Sequence, residues 1–241
     1  RIEGQQMTEE EILNALEEKS TAILRELIQE TLGDAYCQVA DEQRGQMRLH
    51  LWAKRSILKD VMDVRISGAN TGIGNVLANK GGIMAALYYR NTRISFLNAH
   101  LAAHEGVSYY KTRCDNVKSI LREAKTFGLT KKFDDATSSH HMFIFGDLNF
   151  RTDFGTDEKH EDNINRARAL ISANNFEGLY CFDELQKGLA SAHLLKDFAT
   201  LPCHFPPTFK VERAPGFTYK EQRVPSYTDR ILFKSARGLS N

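Results

Sequence analysis

At 241 residues, 41% hydrophobic and 26% charged, the chain has apolar material for one large core, and no apolar run reaches the length of a membrane span. A formal net charge of +1 excludes a generally basic nucleic-acid coat, and the opening residues do not read as a signal peptide. The four cysteines, Cys37, Cys114, Cys181 and Cys203, form no CxxC pair and have no histidine at zinc spacing, which points to reduced, mostly buried thiols in a cytosolic protein.

In chain order, Thr8 followed by Glu11 is a capping box, and Ile12, Leu16, Ile23, Leu27 and Ile28 repeat at helical spacing up to Gly33. The pattern predicts an amphipathic helix packed on the core. Met47, Leu49, Leu51 and Ala53 alternate with Arg48, His50 and Trp52, the period of a strand with one buried face. GGIMAALYYR (81–90) and RISFLNAHL (93–101) predict two strands paired as a hairpin through Asn91-Thr92. Val107, Tyr110, Cys114, Val117, Leu121 and Ala124 mark a second helix, Asp134 to Ser139 reads as a loop, and MFIF (142–145) is a strand. Ile164, Ala167, Leu170 and Ile171 mark a third helix, and SYTDRILFK (226–234) the last strand. The first proline is Pro202, so no linker is expected before it, and no internal repeat is visible. Hairpins mixed with helices predict a layered α/β sandwich with largely antiparallel sheets, not a doubly wound parallel sheet.

Charge is uneven along this order. Acids outnumber bases nine to three over residues 1–39, and bases outnumber acids seven to three from Phe205 onward. The basic end suits an anionic ligand, although a solvated basic face is the commoner cause of such a cluster. Asp147 and Asn149 follow the MFIF strand and His100 closes ISFLNAH, and strand ends are where a scaffold presents side chains to a cleft. Alone, an Asp-x-Asn is usually a turn former and a strand histidine a packing residue. Together, a carboxylate that can hold a water or a metal, an amide that can orient a phosphate oxygen and an imidazole that can donate a hydrogen bond supply much of what phosphoester hydrolysis needs.

Five strings occur in an order and spacing that resemble the inositol polyphosphate 5-phosphatases: TGIGNVLANKGG (71–82), NAHLAAH (98–104), FGDLNFR (145–151), FPPTFK (205–210) and RVPSYTDRIL (223–232). The resemblance runs from about Gly4 to Lys234. It implies a four-layer α/β sandwich with two mostly antiparallel β-sheets, the superfold of deoxyribonuclease I. It also implies that residues 1–241 form a single catalytic domain, trimmed at both ends. By the same resemblance, His100 hydrogen-bonds the scissile phosphate, Asp147 orients or deprotonates the attacking water, Asn149 grips a phosphate oxygen, and Asp229 orients a catalytic histidine as a buried carboxylate does. Lys80, Lys210, Lys220 and Arg223 resemble basic residues around the substrate phosphates. Members that require a neighbouring 4-phosphate have tyrosine where Phe209 stands and lysine where Glu221 stands, with Lys220 beside it.

Two departures are visible. The family's SDH motif after the DRIL strand is not found, and Gln6 stands where a glutamate that binds magnesium is expected. A neutral amide oxygen is a weaker Mg²⁺ ligand than a carboxylate. The resulting expectation is Mg²⁺-dependent removal of the 5-position phosphate from phosphoinositides or soluble inositol polyphosphates, in a cytoplasmic monomeric domain that touches membranes peripherally and binds no nucleic acid. The alternatives are a catalytically impaired inositide-binding module and a nuclease on the same superfold. Neither Cys114 nor Cys181 sits in a Cys-x5-Arg loop, so cysteine-phosphatase chemistry is not expected.

Overall fold

The computed structural model describes residues 9–71, 79–126, 133–155, 159–191 and 193–236; Gln6 and Thr8, and with them the expected metal ligand and capping box, lie outside these. The described elements are α1 (Glu9–Leu32), β1 (Tyr36–Arg44), β2 (Met47–Lys54), a 3₁₀ helix (Arg55–Asp60), β3 (Val61–Asn70), β4 (Gly81–Tyr89), β5 (Thr92–His100), α2 (Val107–Glu123), α3 (Asp135–Ser138), β6 (His141–Asp147), α4 (His160–Ser172), α5 (Phe176–Tyr180), α6 (Glu184–Ala190) and β7 (Asp229–Ser235). β1 and β2 form an antiparallel pair, and a second sheet runs β3-β4-β5-β6-β7. Its neighbours are antiparallel except β5 and β6, which are parallel and joined through α2. The two mostly antiparallel sheets of the expected α/β sandwich are thus present.

Alternation along the strands builds the layers. Leu97 and Ala99 of β5, Met142 and Ile144 of β6 and Leu232 of β7 point to one face, where they pack with Val117, Ile120 and Leu121 of α2. Each such buried leucine, isoleucine, valine or methionine contributes about 1.5–3 kcal/mol. On the opposite face, Ile83 and Ala85 of β4 meet Ala40, Met47 and Leu49 of the β1–β2 pair. β4 is therefore buried on both faces, and its apolar side chains run continuously instead of alternating. An Asn98 side-chain N–H donates to the Arg48 carbonyl at 2.7 Å and ties the two sheets. The rest of this face is less covered: Ile231 is 64% exposed and Phe233 is also exposed.

Several expectations are corrected. α1 does not bury its apolar stripe, since Leu16, Ile23 and Leu27 are exposed. It docks by polar contacts, with Arg48 donating to Thr21 and Ser20, and Arg25 paired with Asp41. The reason lies in β1–β2, whose inner face is already spent on β4, leaving a polar outer face for the helix. The β4–β5 turn is Arg90-Asn91, one residue earlier than expected, with Tyr89 paired to Thr92. Residues 135–138 form a short helix rather than a loop, capped by Asp134, and buried Asp135 accepts from Arg93 at 2.5 Å. The cysteines are free, but Cys203 alone is buried and Cys181 is exposed.

A second, smaller core of Ile164, Ala167, Leu179, Tyr180, Cys203, Val224 and Tyr227 supports the irregular 205–228 segment. Tyr227 and Tyr219 donate their hydroxyls to the Phe205 and Pro207 carbonyls, each at 2.7 Å, and Phe209 and Ser226 exchange backbone hydrogen bonds. These contacts hold Phe209, Lys210 and Arg223 in place without regular secondary structure.

Candidate active site

The site grows from strand register. Asn98 pairs with Phe145 across the parallel β5–β6 ladder, so two residues further on His100 and Asp147 leave the sheet side by side, on its less covered face. Asp147 in turn is the antiparallel partner of Asp229 at the start of β7. Gly146, with φ +122°, permits the approach: a Cβ there would lie 2.4 Å from both the Ala99 carbonyl and the Asn98 side-chain oxygen. Only glycine combines that backbone with that space.

Beyond β6 the chain turns through Asn149, which holds a left-handed φ of +55°. Its backbone N–H donates to Asp147 Oδ1 at 3.1 Å, an Asx-type turn that asparagine tolerates well. Its side-chain N–H donates to the Leu101 carbonyl at 3.1 Å, and its Oδ1 accepts from Arg151 at 2.7 Å.

These groups line a cavity of about 250 Å³ with Lys80, Ala103, His104, Arg151, Phe209, Lys210 and Arg223. His100 Nε2 lies 3.4 Å from Asp147 Oδ2 and in contact with the Lys80 ammonium. Burial, then the Lys80 charge, pushes the His100 pKa down, while Asp229 opposes this, so the neutral ring is favoured. Burial, then Asp229, raises the Asp147 pKa, opposed by Lys80. Burial lowers Lys80 as well. A carboxylate poised as a base, a neutral imidazole, an amide with a spare N–H and several cations in one cleft can bind a phosphate and direct a water at it.

Asp229 stands at the edge of this cleft and is exposed, not buried as expected of an orienting carboxylate; the open face beside β7 leaves it in solvent. It lines a neighbouring cavity with Phe205, Ile231 and Phe233. Lys220 is not brought to the cleft. It pairs with Glu212 at 3.4 Å in a larger cavity of about 720 Å³ between α4 and residues 212–222. That cavity holds no histidine, so chemistry rather than volume selects the smaller cleft.

The profile of endonuclease/exonuclease/phosphatase family 2 matches residues 2–240. The chain belongs to this family. Among its members, a zebrafish phosphatidylinositol 3,4,5-trisphosphate 5-phosphatase 2B is 29% identical over 83% of the chain and 16% of its own length. The fission yeast inositol-1,4,5-trisphosphate 5-phosphatase 1 is 28% identical over 85% of the chain and 18% of its own length. The chain thus spans less than a fifth of these two relatives. In three dimensions it resembles the inositol polyphosphate 5-phosphatase domain of SPsynaptojanin, solved with inositol (1,4)-bisphosphate and calcium. The TM-score is 0.72 at 25% identity, covering 89% of this chain and 60% of that one. The family resemblance read from the five strings is therefore found again in both sequence and fold.

Sequence reasoning gave no role to Arg151, which ends the family string FGDLNFR. It is 4% exposed and lies against Phe209, with the ring centroid 4.2 Å from its guanidinium carbon. Arg113 and Glu184 were also passed over. Glu184 Oε2 accepts from the Arg113 guanidinium at 2.5 Å and from the Arg151 backbone at 2.9 Å, and Arg113 also donates to the Ala102 and His104 carbonyls. This buried bridge links the turn after His100 to the turn after Asp147. Its sequence signal is an arginine on the helix face that also carries Tyr110, Val117 and Ile120.

Proposed function

We propose that the chain hydrolyses the 5-position phosphate of an inositol phosphate, either a phosphoinositide headgroup or a soluble inositol polyphosphate, by direct attack of water. The observation that carries this reading is the meeting of Asp147, His100 and Asn149 with Lys80, Lys210 and Arg223 in one cleft. Family relatives that carry inositide 5-phosphatase names support the substrate class.

In this mechanism Asp147 holds and deprotonates the water, whose oxygen bonds to phosphorus as the ester bond to the ring oxygen breaks. The ring oxygen takes a proton from solvent water and leaves as an alcohol, Asp147 returns its proton to solvent, and inorganic phosphate is the second product. The spare Asn149 N–H and the His100 ring hydrogen-bond non-bridging oxygens, and the cations offset charge on the phosphates. Among the described residues, Asp147 and Asp229 are the hard oxygen donors at the cleft. Their charges oppose each other, which a divalent cation would relieve. Mg²⁺ commonly takes one or two carboxylates plus substrate phosphates, so these two residues would hold it. The ion would supply charge neutralisation at the scissile phosphate. The domain is proposed to be monomeric and cytoplasmic, meeting membranes at their surface without crossing them; no described helix is long and apolar enough to span one. Nucleic acid is not proposed as a substrate.

The test is phosphate release from a panel of inositol phosphates, with and without Mg²⁺, for the parent and Asp147→Asn. The near-isosteric change should lower kcat by about 10²- to 10⁴-fold with folding spared. Release within a few-fold of the parent removes Asp147 from the chemistry. Gln6 favours a second reading, an impaired inositide-binding module. A parent that binds headgroups without releasing phosphate would establish it.

A further inference from the structure

We infer that Arg151 is a positioning residue that fixes which end of the Asn149 amide faces the phosphate, and that Phe209 steadies it from the substrate side. The inference rests on the phosphatase reading of the cleft. An asparagine amide has two chemically opposite ends of nearly equal size, and only the N–H end attracts an anion. In this fold both ends are claimed. The oxygen accepts from Arg151 Nη2 at 2.7 Å, and one amide N–H donates to the Leu101 carbonyl at 3.1 Å. A flipped amide would set its NH₂ against a guanidinium and its oxygen against a carbonyl, losing two hydrogen bonds and gaining two repulsions. The remaining N–H is thereby committed to the cleft.

Arg151 also grips the backbone of the same residue, donating from Nε to the Asn149 carbonyl at 2.9 Å. One guanidinium thus holds the main chain and the side chain of a residue in the left-handed region. The planar fork of arginine suits this two-point grip, and the point charge of lysine does not. Arg151 also borders the cleft, but its Nε and Nη2 are both engaged by Asn149, so its action on the phosphate is assigned through that residue. Phe209, beside Lys210 in the cleft, presents its ring to the guanidinium. That gives the phenylalanine at this position a task that needs an aromatic face and no hydroxyl.

A double-mutant cycle tests the inference with kcat for an inositol phosphate substrate and binding of inorganic phosphate. The single variants are Arg151→Lys, which keeps the buried charge, and Asn149→Gly, which removes the amide but tolerates the backbone conformation. Arg151→Lys should lower kcat by about tenfold to a hundredfold, the range for a hydrogen bond to a charged group. In the Asn149→Gly background it should change kcat less than about twofold. Equal losses in both backgrounds would mean that Arg151 acts on the phosphate directly and would overturn the inference.

A second readout is independent of catalysis. The side-chain amide signals of Asn149 in a ¹H–¹⁵N spectrum, assigned by their loss in Asn149→Gly, should shift in Arg151→Lys and also in Phe209→Leu. Unchanged signals in Arg151→Lys would overturn the inference whether or not phosphate is released. Failure of the parent to hydrolyse any inositol phosphate would instead count against the proposed activity and leave the spectra to decide Arg151.

Discussion

Gly146→Ala is the sharpest test of how the fold builds the cleft. The substitution places a Cβ on a residue at φ +122°, 2.4 Å from the Ala99 carbonyl and the Asn98 side-chain oxygen. Ordinary contact begins near 3.4 Å, so strand β5 or β6 must retreat by about 1 Å. Backbone strain of this kind costs about 1–3 kcal/mol, and forced overpacking adds about 1–3 kcal/mol. The sum is about 2–6 kcal/mol, a large share of the about 5–15 kcal/mol that typically stabilises a folded protein. Because the displaced atoms adjoin His100 on one strand and Asp147 on the other, the same shift should lower kcat by about a hundredfold. Gly155→Ala is the control. Gly155 has φ +111° but nothing within 4 Å of a Cβ, so it should show the strain term alone and leave kcat nearly unchanged. Urea unfolding and kcat are measured for both variants. If Gly146→Ala unfolds at no lower urea than Gly155→Ala, the close approach does not set the site.

Two further predictions use other parts of the molecule. In the proposed mechanism Asp147 and His100 both act unprotonated, and Lys80 lowers both pKa values while Asp229 raises both. Lys80→Met should therefore move the acid limb of the kcat/KM profile to higher pH and Asp229→Asn to lower pH; limbs moving in the same direction would refute the electrostatic assignment. Along β7, Leu232→Ala should cost about 2–5 kcal/mol in chemical unfolding and Ile231→Ala less than about 1 kcal/mol, because Leu232 is fully buried and Ile231 is 64% exposed. The reverse order would mean that β7 is paired one residue out of register.

Much of the fold was legible because its central elements obey simple periods. The alternation in RISFLNAHL sets Leu97 and Ala99 toward α2 and leaves His100 on the opposite face, as the strand period requires. α1 was misread for the complementary reason. Ile23 and Leu27 have helical spacing, but spacing does not say which neighbour is available, and the β1–β2 pair offers that helix polar side chains. β1 went unread because YCQVADEQR mixes charges with apolar residues on both alternations, and β3 was passed over although Met62, Val64 and Ile66 alternate with Asp63, Arg65 and Ser67. They are strands because β2 and β4 supply partners.

The candidate site divides along the same line. His100, Asp147 and Asn149 could be named from strand ends, since two adjacent parallel strands that stop together must release their next residues together. Arg151 could not, because its partners are Asn149 and Phe209, one two residues away and the other 58 residues away by subtraction of their numbers. The Arg113–Glu184 pair is more distant still, separated by 71 positions. Residues that present themselves to a ligand sit where local structure ends, and local structure is written in a short window of sequence. Residues that hold them still must reach across the fold, so their role depends on tertiary contacts that no short window contains. A substitution such as Arg151→Lys, conservative in any local reading, is accordingly the one for which sequence and structure forecast different outcomes.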